Sequence, residues 1–256
     1  MYHQLSIVAI IKGEPDLEEW IEYHRMLGVE HFYLFDNSES GDALYNVWPD
    51  EVTVIVWPGK VQQLPAYDHF LKTYAGETEW AAFIDADEYL VPREGSDLRE
   101  LLLFYGDGGL AVNWRVFGSA GYDLRPQGLV IENYQRCGVI VFDQNRMIKT
   151  IVRPRTVESI TSSPHCFRLK EGFRVLNTAG ESVAWASTSV PNFETIQLNH
   201  YCTKSKEDFI DKIKRGRADL DADPRDWAYF EYFDRNERSD RTIQRFVPEL
   251  KKRMGL

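Results

Sequence analysis

The sequence predicts an α/β protein with a central, mostly parallel sheet flanked by helices, a smaller mixed β region and a helical C-terminal tail. Short apolar runs rich in β-branched residues alternate with stretches of helical periodicity through the first part of the chain. One run, residues 80–84, is apolar at every position, which is typical of a strand covered on both faces. Charged or amide side chains directly follow several runs. Because open α/β sheets bind ligands at the carboxyl ends of their strands, these side chains mark the predicted site.

Composition and charge limit the function classes. The 256 residues suffice for one large α/β domain, and the net charge of −10 argues against non-specific binding to nucleic acid or to an anionic membrane surface. The three cysteines, Cys137, Cys166 and Cys202, are odd in number and include no Cys-x-x-Cys pair, which argues against disulfides and structural zinc. The apolar run at residues 5–11 is too short to span a bilayer. We therefore expect a soluble, cytoplasmic protein with free thiols.

The first part of the chain predicts a doubly wound sheet. The strand at 5–11 ends at a breaker cluster, and Asp16 is placed to cap a helix that runs to Gly28. Further along come predicted strands at 31–35 and 52–57, a polar turn at 36–42, a helix at 67–74 and the strand at 80–84. Neither a Gly-x-Gly-x-x-Gly fingerprint nor a P-loop is present in the sequence, which disfavours the dinucleotide-binding and P-loop versions of this architecture.

The second part is more varied. We predict a helix at 96–105 capped by Ser96, a strand at 110–116, a helix at 129–137 and an antiparallel or mixed β region over 139–198. An amphipathic helix follows at 207–216, and residues 227–256 contain two more helical segments. The predicted domain organisation is a single domain over residues 1–220 and a helical extension over 221–256 that packs on it.

Asp85 and Asp87 are the central candidates for a functional site. They follow the apolar strand and lie two residues apart, so in an extended chain both carboxylates would point to one side, where they repel each other unless a cation lies between them. The alternative is a turn in which Asp85 caps the backbone and Asp87 and Glu88 are solvated. Lys12, Glu14 and Asp36 follow two other predicted strands and are expected at the same edge.

His200 begins a second candidate group. Basic residues outnumber acidic ones directly after it, with Lys204 first and Arg217 last, although the protein as a whole is acidic. This local positive patch suits an anionic ligand. Its alternative is a solvated helix face with ordinary charge pairs.

These pieces together resemble a known enzyme family. Residues 11–14 (Ile-Lys-Gly-Glu), 19–24 (Glu-Trp-Ile-Glu-Tyr-His), 83–89 (Phe-Ile-Asp-Ala-Asp-Glu-Tyr), 114–121 (Trp-Arg-Val-Phe-Gly-Ser-Ala-Gly) and 199–201 (Asn-His-Tyr) run in the order found in GT-A-type glycosyltransferases. The resemblance is greatest to family 92 and the related family 2 group, and it spans residues 7–217. One departure is Gly13, where the family usually has Asn, which puts any polar contact of that side chain in doubt.

The resemblance implies a nucleotide-sugar donor that is bound together with Mn²⁺ or Mg²⁺, and a UDP-sugar is the first candidate for this donor. The implied acceptor is a glycan or a lipid-linked glycan. Asp85 and Asp87 align with the Asp-x-Asp motif of the family, and His200 aligns with a C-terminal histidine that completes the metal shell. Lys12, Glu14 and Asp36 would meet the nucleoside, and Lys204 the diphosphate. The expected ligand sets are thus Asp85, Asp87 and His200 for the metal, and Lys12, Glu14, Asp36, Asp85 and Lys204 for the donor.

The chemistry of transfer adds a catalytic base. The leaving diphosphate gains negative charge, which a bound divalent cation neutralises as a Lewis acid, and Lys149 or Arg215 could assist. An inverting reaction, which the family favours, needs a group to take the proton of the acceptor hydroxyl. Glu132 is the predicted base, with Asp123 and His165 as alternatives; a helix-dipole role for Glu132 carries equal weight. Glu88 is expected to support the fold.

Other functions stay open on the sequence alone. An Asp-x-Asp phosphatase would carry its motif on the first strand, not the fourth, and a glycoside hydrolase would need its two carboxylates at least about 5 Å apart with no metal between them. A catalytically weak carbohydrate-binding module of the same fold, or another metal-dependent sugar-phosphate enzyme, is the remaining alternative. The basic patch also permits peripheral contact with a membrane.

Overall fold

A computed structural model describes residues 1–38, 50–106, 108–218 and 225–256. Most of the predicted polar turn at 36–42 therefore lies outside the described residues, and so does the predicted domain boundary between 220 and 221. The division into two parts remains a prediction.

The described residues alternate strands and helices through the first half of the chain, as the sequence predicts. The strands are β1 (His3–Ile11), β2 (His31–Asp36), β3 (Val52–Val56), β4 (Thr78–Phe83), β5 (Glu88–Pro92), β6 (Gly109–Val116), β7 (Arg136–Cys137), β8 (Ile148–Val152), β9 (Val157–Ile160), β10 (Phe167–Leu169), β11 (Val175–Leu176), β12 (Ile196–His200) and β13 (Arg238–Ser239). The helices are α1 (Leu17–Met26), α2 (Gln63–Thr73), α3 (Leu98–Leu102), α4 (Val130–Asn133), α5 (Lys206–Arg215), α6 (Trp227–Phe233) and α7 (Val247–Met254).

One large sheet organises the molecule. Its strand order is β3-β2-β1-β4-β8-β6-β12-β5, with β11 beside β6. The β1–β2, β1–β4, β2–β3 and β6–β12 pairs are parallel, whereas β8 runs antiparallel to both β4 and β6. Apolar side chains pack on both faces, which explains why β1, β2 and β4 read as nearly continuous apolar runs. The predicted α/β class, with a mostly parallel sheet flanked by helices, is confirmed.

Within the predicted antiparallel or mixed β region at 139–198, β8 does pair antiparallel, but with strands of the main sheet and not within a smaller region of its own. This strand lies in the middle of the main sheet, between β4 and β6, and all five of its residues are buried. Its two neighbours in the sheet, β4 and β6, both precede it in the chain, and nothing local in the sequence indicates such a pairing. The short β9–β10 hairpin does lie outside the main sheet, as the prediction implies.

Two predicted helices are shorter than expected. The segment at 96–105 forms α3 and one turn of 3-10 helix, and Asp97, not Ser96, caps it by accepting a hydrogen bond of 2.9 Å from the Arg99 amide. The segment at 129–137 is helical only in α4, because Arg136 and Cys137 then pair as a strand with β13. Tertiary pairing overrides the local helical pattern there.

The two C-terminal helices are present and pack on the sheet layers. In α7, Leu250 is fully buried, and just before that helix the Phe246 ring lies 5.5 Å from the Tyr23 ring of α1. In α6, the Phe230 ring lies 5.1 Å from Phe209 of α5. Within the described ranges, no helix is long and apolar enough to cross a membrane.

Candidate active site

A cleft of about 180 Å³ lies at the carboxyl edge of the sheet. Its walls come from the residues after β1, the turn between β4 and β5, the end of β12 and the last turn of α5. Of the residues predicted at this edge, those that line the cleft are Lys12, Glu14, Asp85, Asp87 and His200. The carboxyl edge of the sheet therefore brings together residues that are far apart in the chain.

Asp85 and Asp87 lie in a turn, not in an extended segment, so their carboxylates have different partners. One oxygen of Asp85 accepts a hydrogen bond of 2.8 Å from the Gln63 amide, and the other pairs with the Lys149 ammonium at 2.8 Å. Both oxygens of Asp85 are thus engaged by the protein. The expected same-side pair of free acids does not form.

Asp87 belongs to a different cluster. Its carboxylate pairs with the Lys212 ammonium, and Nε2 of His200 lies 3.7 Å from its other oxygen. Burial alone would raise the pKa of Asp87, but Lys212 and His200 outweigh this effect and hold the pKa well below its usual range. Asp87 is therefore a carboxylate at neutral pH.

His200 is buried at the end of β12, packed against Trp114 with their ring centroids 4.2 Å apart. Burial lowers its pKa to about 4, so the imidazole is neutral near pH 7. Among the described residues, its Nδ1 is a buried atom that has no hydrogen-bond partner. A neutral imidazole is the form of histidine that binds metals.

A buried lysine on β8 pairs with the carboxylates of the turn. Lys149 is 1% exposed on β8 and lies 3.6 Å from the fully buried carboxylate of Glu88 as well as 2.8 Å from Asp85. Burial would lower the pKa of Lys149, but the carboxylates of Asp85 and Glu88 outweigh it and raise the pKa, so the ammonium stays charged. Glu88 also accepts hydrogen bonds from the Asp85 amide at 2.7 Å and from the Trp114 indole at 2.6 Å. This arrangement agrees with the supporting role expected for Glu88.

Helix α5 brings two cations to the cleft. Ser205 begins the helix with a capping box formed with Asp208, and the basic residues of the last turn complement the helix dipole. Lys212 reaches Asp87, while Arg215 pairs with Glu14 at 2.9 Å and donates to the Gly13 carbonyl at 2.6 Å. Gly13 has a φ of +63°, a conformation that favours glycine, so the residue that departs from the family pattern suits this turn.

Three predicted site residues lie elsewhere. Asp36 is buried at the end of β2 and accepts hydrogen bonds from the Ser38 amide and hydroxyl, and it does not line the cleft. Lys204 pairs with Asp16 in a neighbouring cavity. Glu132 pairs with Lys251 of α7 at 2.6 Å, also outside the cleft. The positions of Asp36 and Lys204 therefore do not support their predicted contacts with the donor. The position of Glu132 does not support its predicted role as the catalytic base.

The two alternatives to Glu132 as the catalytic base, Asp123 and His165, lie in different places. Asp123 is 75% exposed and pairs with Lys206 at 2.7 Å. His165 lines the cleft, and its Nδ1 lies 2.8 Å from the Ile148 carbonyl oxygen. Because a carbonyl oxygen only accepts, Nδ1 carries the proton and Nε2 is the basic nitrogen of the neutral ring. Of the three residues considered for the base, only His165 is at the site.

The residues partly fit a divalent cation. Nowhere in the described part of the chain do three or more His, Cys, Asp or Glu side chains assemble into a metal site, so the predicted set of Asp85, Asp87 and His200 is incomplete. Asp87 and His200 do lie together, however, with Nε2 of the neutral imidazole 3.7 Å from a carboxylate oxygen of Asp87. Mg²⁺ and Mn²⁺ accept one or two protein ligands when phosphate oxygens and water supply the rest. The pair therefore fits a cation that arrives with a diphosphate.

Gln63, Lys149 and Lys212 are site residues whose contacts the sequence did not predict. Lys149 left a usable signal, because a lysine inside the apolar segment Ile-Lys-Thr-Ile-Val is rarely buried without a carboxylate partner. Lys212 belongs to the predicted positive patch, but nothing in the sequence indicates that it pairs with Asp87, and Gln63 left no signal, since an amide at a helix position is ordinary.

Comparison with known proteins supports the resemblance. Residues 15–222, most of the chain, match the family model of glycosyltransferase family 92. Family 92 proteins of Ricinus communis and of Oryza sativa subsp. japonica are 26% and 28% identical to the chain over 83% and 88% of its length. The chain spans only 38% and 37% of the length of these relatives. Among solved structures, a 4-diphosphocytidyl-2C-methyl-D-erythritol synthase from Anaerococcus prevotii is 9% identical to the chain. The alignment covers 71% of this chain and 90% of the synthase, with a TM-score of 0.37. That TM-score is too low to bear on the fold.

The match covers both the Asp85–Asp87 turn and the β12–α5 segment, the two parts of the chain that build the cleft. We conclude that the chain belongs to glycosyltransferase family 92.

Proposed function

We propose that the chain transfers a sugar from a nucleotide-sugar donor, with UDP-sugar as the first candidate, to a glycan acceptor. The observation that carries this proposal is the charge of the cleft. Its described lining contains five cationic side chains and three carboxylates, an excess of two positive charges in a protein whose net charge is −10. The cationic residues are Lys12, Lys212, Arg215, Arg217 and Arg225, and the carboxylates are Glu14, Asp85 and Asp87. A diphosphate ester supplies the complementary negative charge.

A divalent cation, Mn²⁺ or Mg²⁺, is proposed to bind with the donor between Asp87 and His200. When bound, it would act as a Lewis acid that neutralises charge on the leaving diphosphate. Lys212 already places an ammonium beside Asp87, so it would add to the same positive field. Asp85, with both oxygens bonded to Gln63 and Lys149, is proposed to shape the turn and not to act as the main ligand.

The proposed reaction is a displacement at the anomeric carbon. The bond from the acceptor oxygen to that carbon forms while the bond to the phosphate oxygen breaks, and the bonding electron pair leaves with the nucleoside diphosphate. The acceptor oxygen attacks from the side opposite the leaving group, which inverts the anomeric centre. Its hydroxyl proton passes to a base on that same side. We assign the base to Nε2 of His165, because this histidine lines the cleft and its tautomer leaves Nε2 able to accept a proton.

The acceptor is proposed to be a glycan, free or linked to a lipid. A lipid-linked acceptor would require contact with a membrane surface. Much of the basic patch, however, is engaged in ion pairs, including Lys204 with Asp16, Lys206 with Asp123 and Lys214 with Asp211. Peripheral membrane contact and a cytoplasmic location therefore remain predictions.

Calorimetry with UDP, with and without Mn²⁺, tests the proposal. We expect UDP to bind with Mn²⁺ present and at least about tenfold more weakly without it, since Asp87 and His200 would hold the cation and the cation would neutralise charge on the diphosphate. His200→Ala should reduce the difference between the two conditions, and His69→Ala, outside the cleft on α2, serves as the matched control. A wild-type chain that binds no nucleoside diphosphate in the presence of metal contradicts the proposal.

A further inference from the structure

A second cavity adjoins the cleft. Its volume is about 160 Å³, close to the 180 Å³ of the cleft, whereas a third cavity, beside Asp16 and Arg125, has about 10 Å³, which is near the minimum for one water molecule. It lies beside the start of α5 and the Thr203–Lys204 segment. Its size sets it apart as a second place where a ligand could bind.

The wall between the two cavities consists of ion pairs. Among the described residues, four side chains line both: Glu14 with Arg215, and Asp87 with Lys212. The Glu14–Arg215 pair is 2.9 Å long, and the Lys212 ammonium contacts both Asp87 and the Cys202 carbonyl. Ion pairs can exchange partners when a charged ligand arrives, and a diphosphate in the cleft competes directly for Lys212 and Arg215. The second cavity therefore lies directly behind the groups proposed to hold the donor.

The charge of the second cavity differs from that of the cleft. Its lining has four cations and four carboxylates, so no charge is in excess. The cations are Arg125, Lys204, Lys212 and Arg215, and the carboxylates are Glu14, Asp87, Asp208 and Asp211. Paired carboxylates and guanidinium groups keep unused acceptor and donor positions, which suits hydroxyl groups. An anionic ligand would find no surplus of positive charge there.

Thr203 supplies an independent observation. It is 1% exposed, lines the second cavity, and its hydroxyl oxygen is among the described buried atoms without a hydrogen-bond partner. Buried hydroxyl groups are normally bonded, so an unpartnered one beside a cavity indicates a partner that binds there.

We infer that the second cavity binds a neutral, hydroxyl-rich sugar unit, and that this unit belongs to the acceptor. The binding chemistry follows from the charge balance and Thr203 alone, while the identity of the sugar unit as the acceptor rests on the proposed function. A sugar held there would present its hydroxyl group at the ion-pair wall, next to the donor cleft.

Saturation-transfer NMR on the full chain tests this inference. The probes are the methyl glycosides of galactose, glucose, mannose and N-acetylglucosamine, with glucose 6-phosphate as the anionic comparison. We expect one or more neutral glycosides to bind, glucose 6-phosphate to bind more weakly, and UDP with Mn²⁺ not to displace the glycoside. Asp211→Trp adds bulk at the cavity from a side chain that is 65% exposed, and should weaken binding at least about tenfold.

The matched control is Ile210→Trp, at the preceding position of α5, where the side chain is 42% exposed and lines neither cavity. It should bind the glycosides as the wild type does. The inference is overturned if no neutral glycoside binds the wild type, if Asp211→Trp binds them equally well, if glucose 6-phosphate binds more tightly, or if UDP displaces them competitively. Apart from displacement by UDP, these outcomes do not depend on whether UDP itself binds, so the inference and the proposed function can fail separately.

Discussion

The two sides of the Asp85–Asp87 turn show how differently the protein treats two acids of one motif. On one side, Asp85 is tied to the sheet by Gln63 and by the buried Lys149. On the other side, Asp87 faces α5 and the end of β12, where Lys212 and His200 surround it. The difference shows that a two-residue spacing does not make two acids equivalent. In a turn, each side chain takes the partner that lies on its own side, so one acid holds the turn in place and the other is available to a ligand.

The largest expected effect concerns the Asp85 side. Lys149→Met should lower the free energy of unfolding by about 3–5 kcal/mol, because it leaves the fully buried Glu88 carboxylate, and the partly exposed Asp85 carboxylate, without their cation. Urea unfolding followed by circular dichroism measures the change. Lys72→Met is the control, since that lysine is 74% exposed and its pair with Asp68 should matter little. Equal stability of wild type and Lys149→Met would show that Lys149 does not hold the turn.

The buried carboxylate of Glu19 tests whether the cationic partners explain the behaviour of Asp85 and Asp87. Glu19 accepts hydrogen bonds from the amides of Val130 and Ile131 at 2.7 and 3.1 Å. Burial raises its pKa from 4.5 to about 7, and the two amides only partly oppose this. The contrast with Asp87, whose pKa is lowered, is expected because Lys212 pairs directly with Asp87.

The raised pKa of Glu19 makes stability depend on pH. Below pH 4.5 the carboxyl group is protonated in both the folded and the unfolded state, and between about pH 4.5 and 7 only the unfolded state releases the proton. The contribution of Glu19 to stability is therefore complete below pH 4.5 and falls by up to about 3 kcal/mol as the pH rises through 7. The difference in unfolding free energy between wild type and Glu19→Gln, measured across this range, should decline accordingly. A flat difference would contradict the raised pKa.

The smallest effect on stability is expected far from the turn. Glu132→Gln removes a partly exposed ion pair with Lys251 and should change the unfolding free energy by less than about 1 kcal/mol.

The same variant tests the assignment of the base. Sugar transfer by Glu132→Gln should continue at the wild-type rate, whereas His165→Ala should abolish transfer while UDP still binds. Loss of transfer in Glu132→Gln, with the fold intact, would restore Glu132 as the base.

The fold could be predicted where the signal is local. The apolar runs of β1, β2 and β4 and the breakers after β1 indicate a parallel sheet, and the carboxyl edge of that sheet then follows from topology. The central position of β8 could not be predicted, because its pairing with β4 and β6 joins segments that are distant in the chain. The same reason explains the length of α4, which is cut short by the strand pairing of residues 136–137 with β13.

The candidate site divides in the same way. That Asp85, Asp87, His200, Lys12 and Glu14 share one cleft follows from strand ends and the family pattern. The partners of the side chains do not follow from the sequence in the same way, because Lys204 and Glu132 each pair with a residue more than 100 positions away in the chain. Asp36 instead accepts hydrogen bonds from Ser38, two residues further on. Lysine partners in particular are a matter of tertiary contact, and they decide which acid of the turn remains available.

The most direct test of this account is Mn²⁺ binding in the presence of UDP, followed by electron paramagnetic resonance, in the wild type, Asp85→Asn and Asp87→Asn. The account predicts that Asp87→Asn weakens UDP-dependent Mn²⁺ binding by on the order of 100-fold, and that Asp85→Asn weakens it by only about tenfold through the altered turn. Equal losses in the two variants, or UDP binding that is independent of Mn²⁺ in the wild type, would contradict the assignment of Asp87 as the principal ligand.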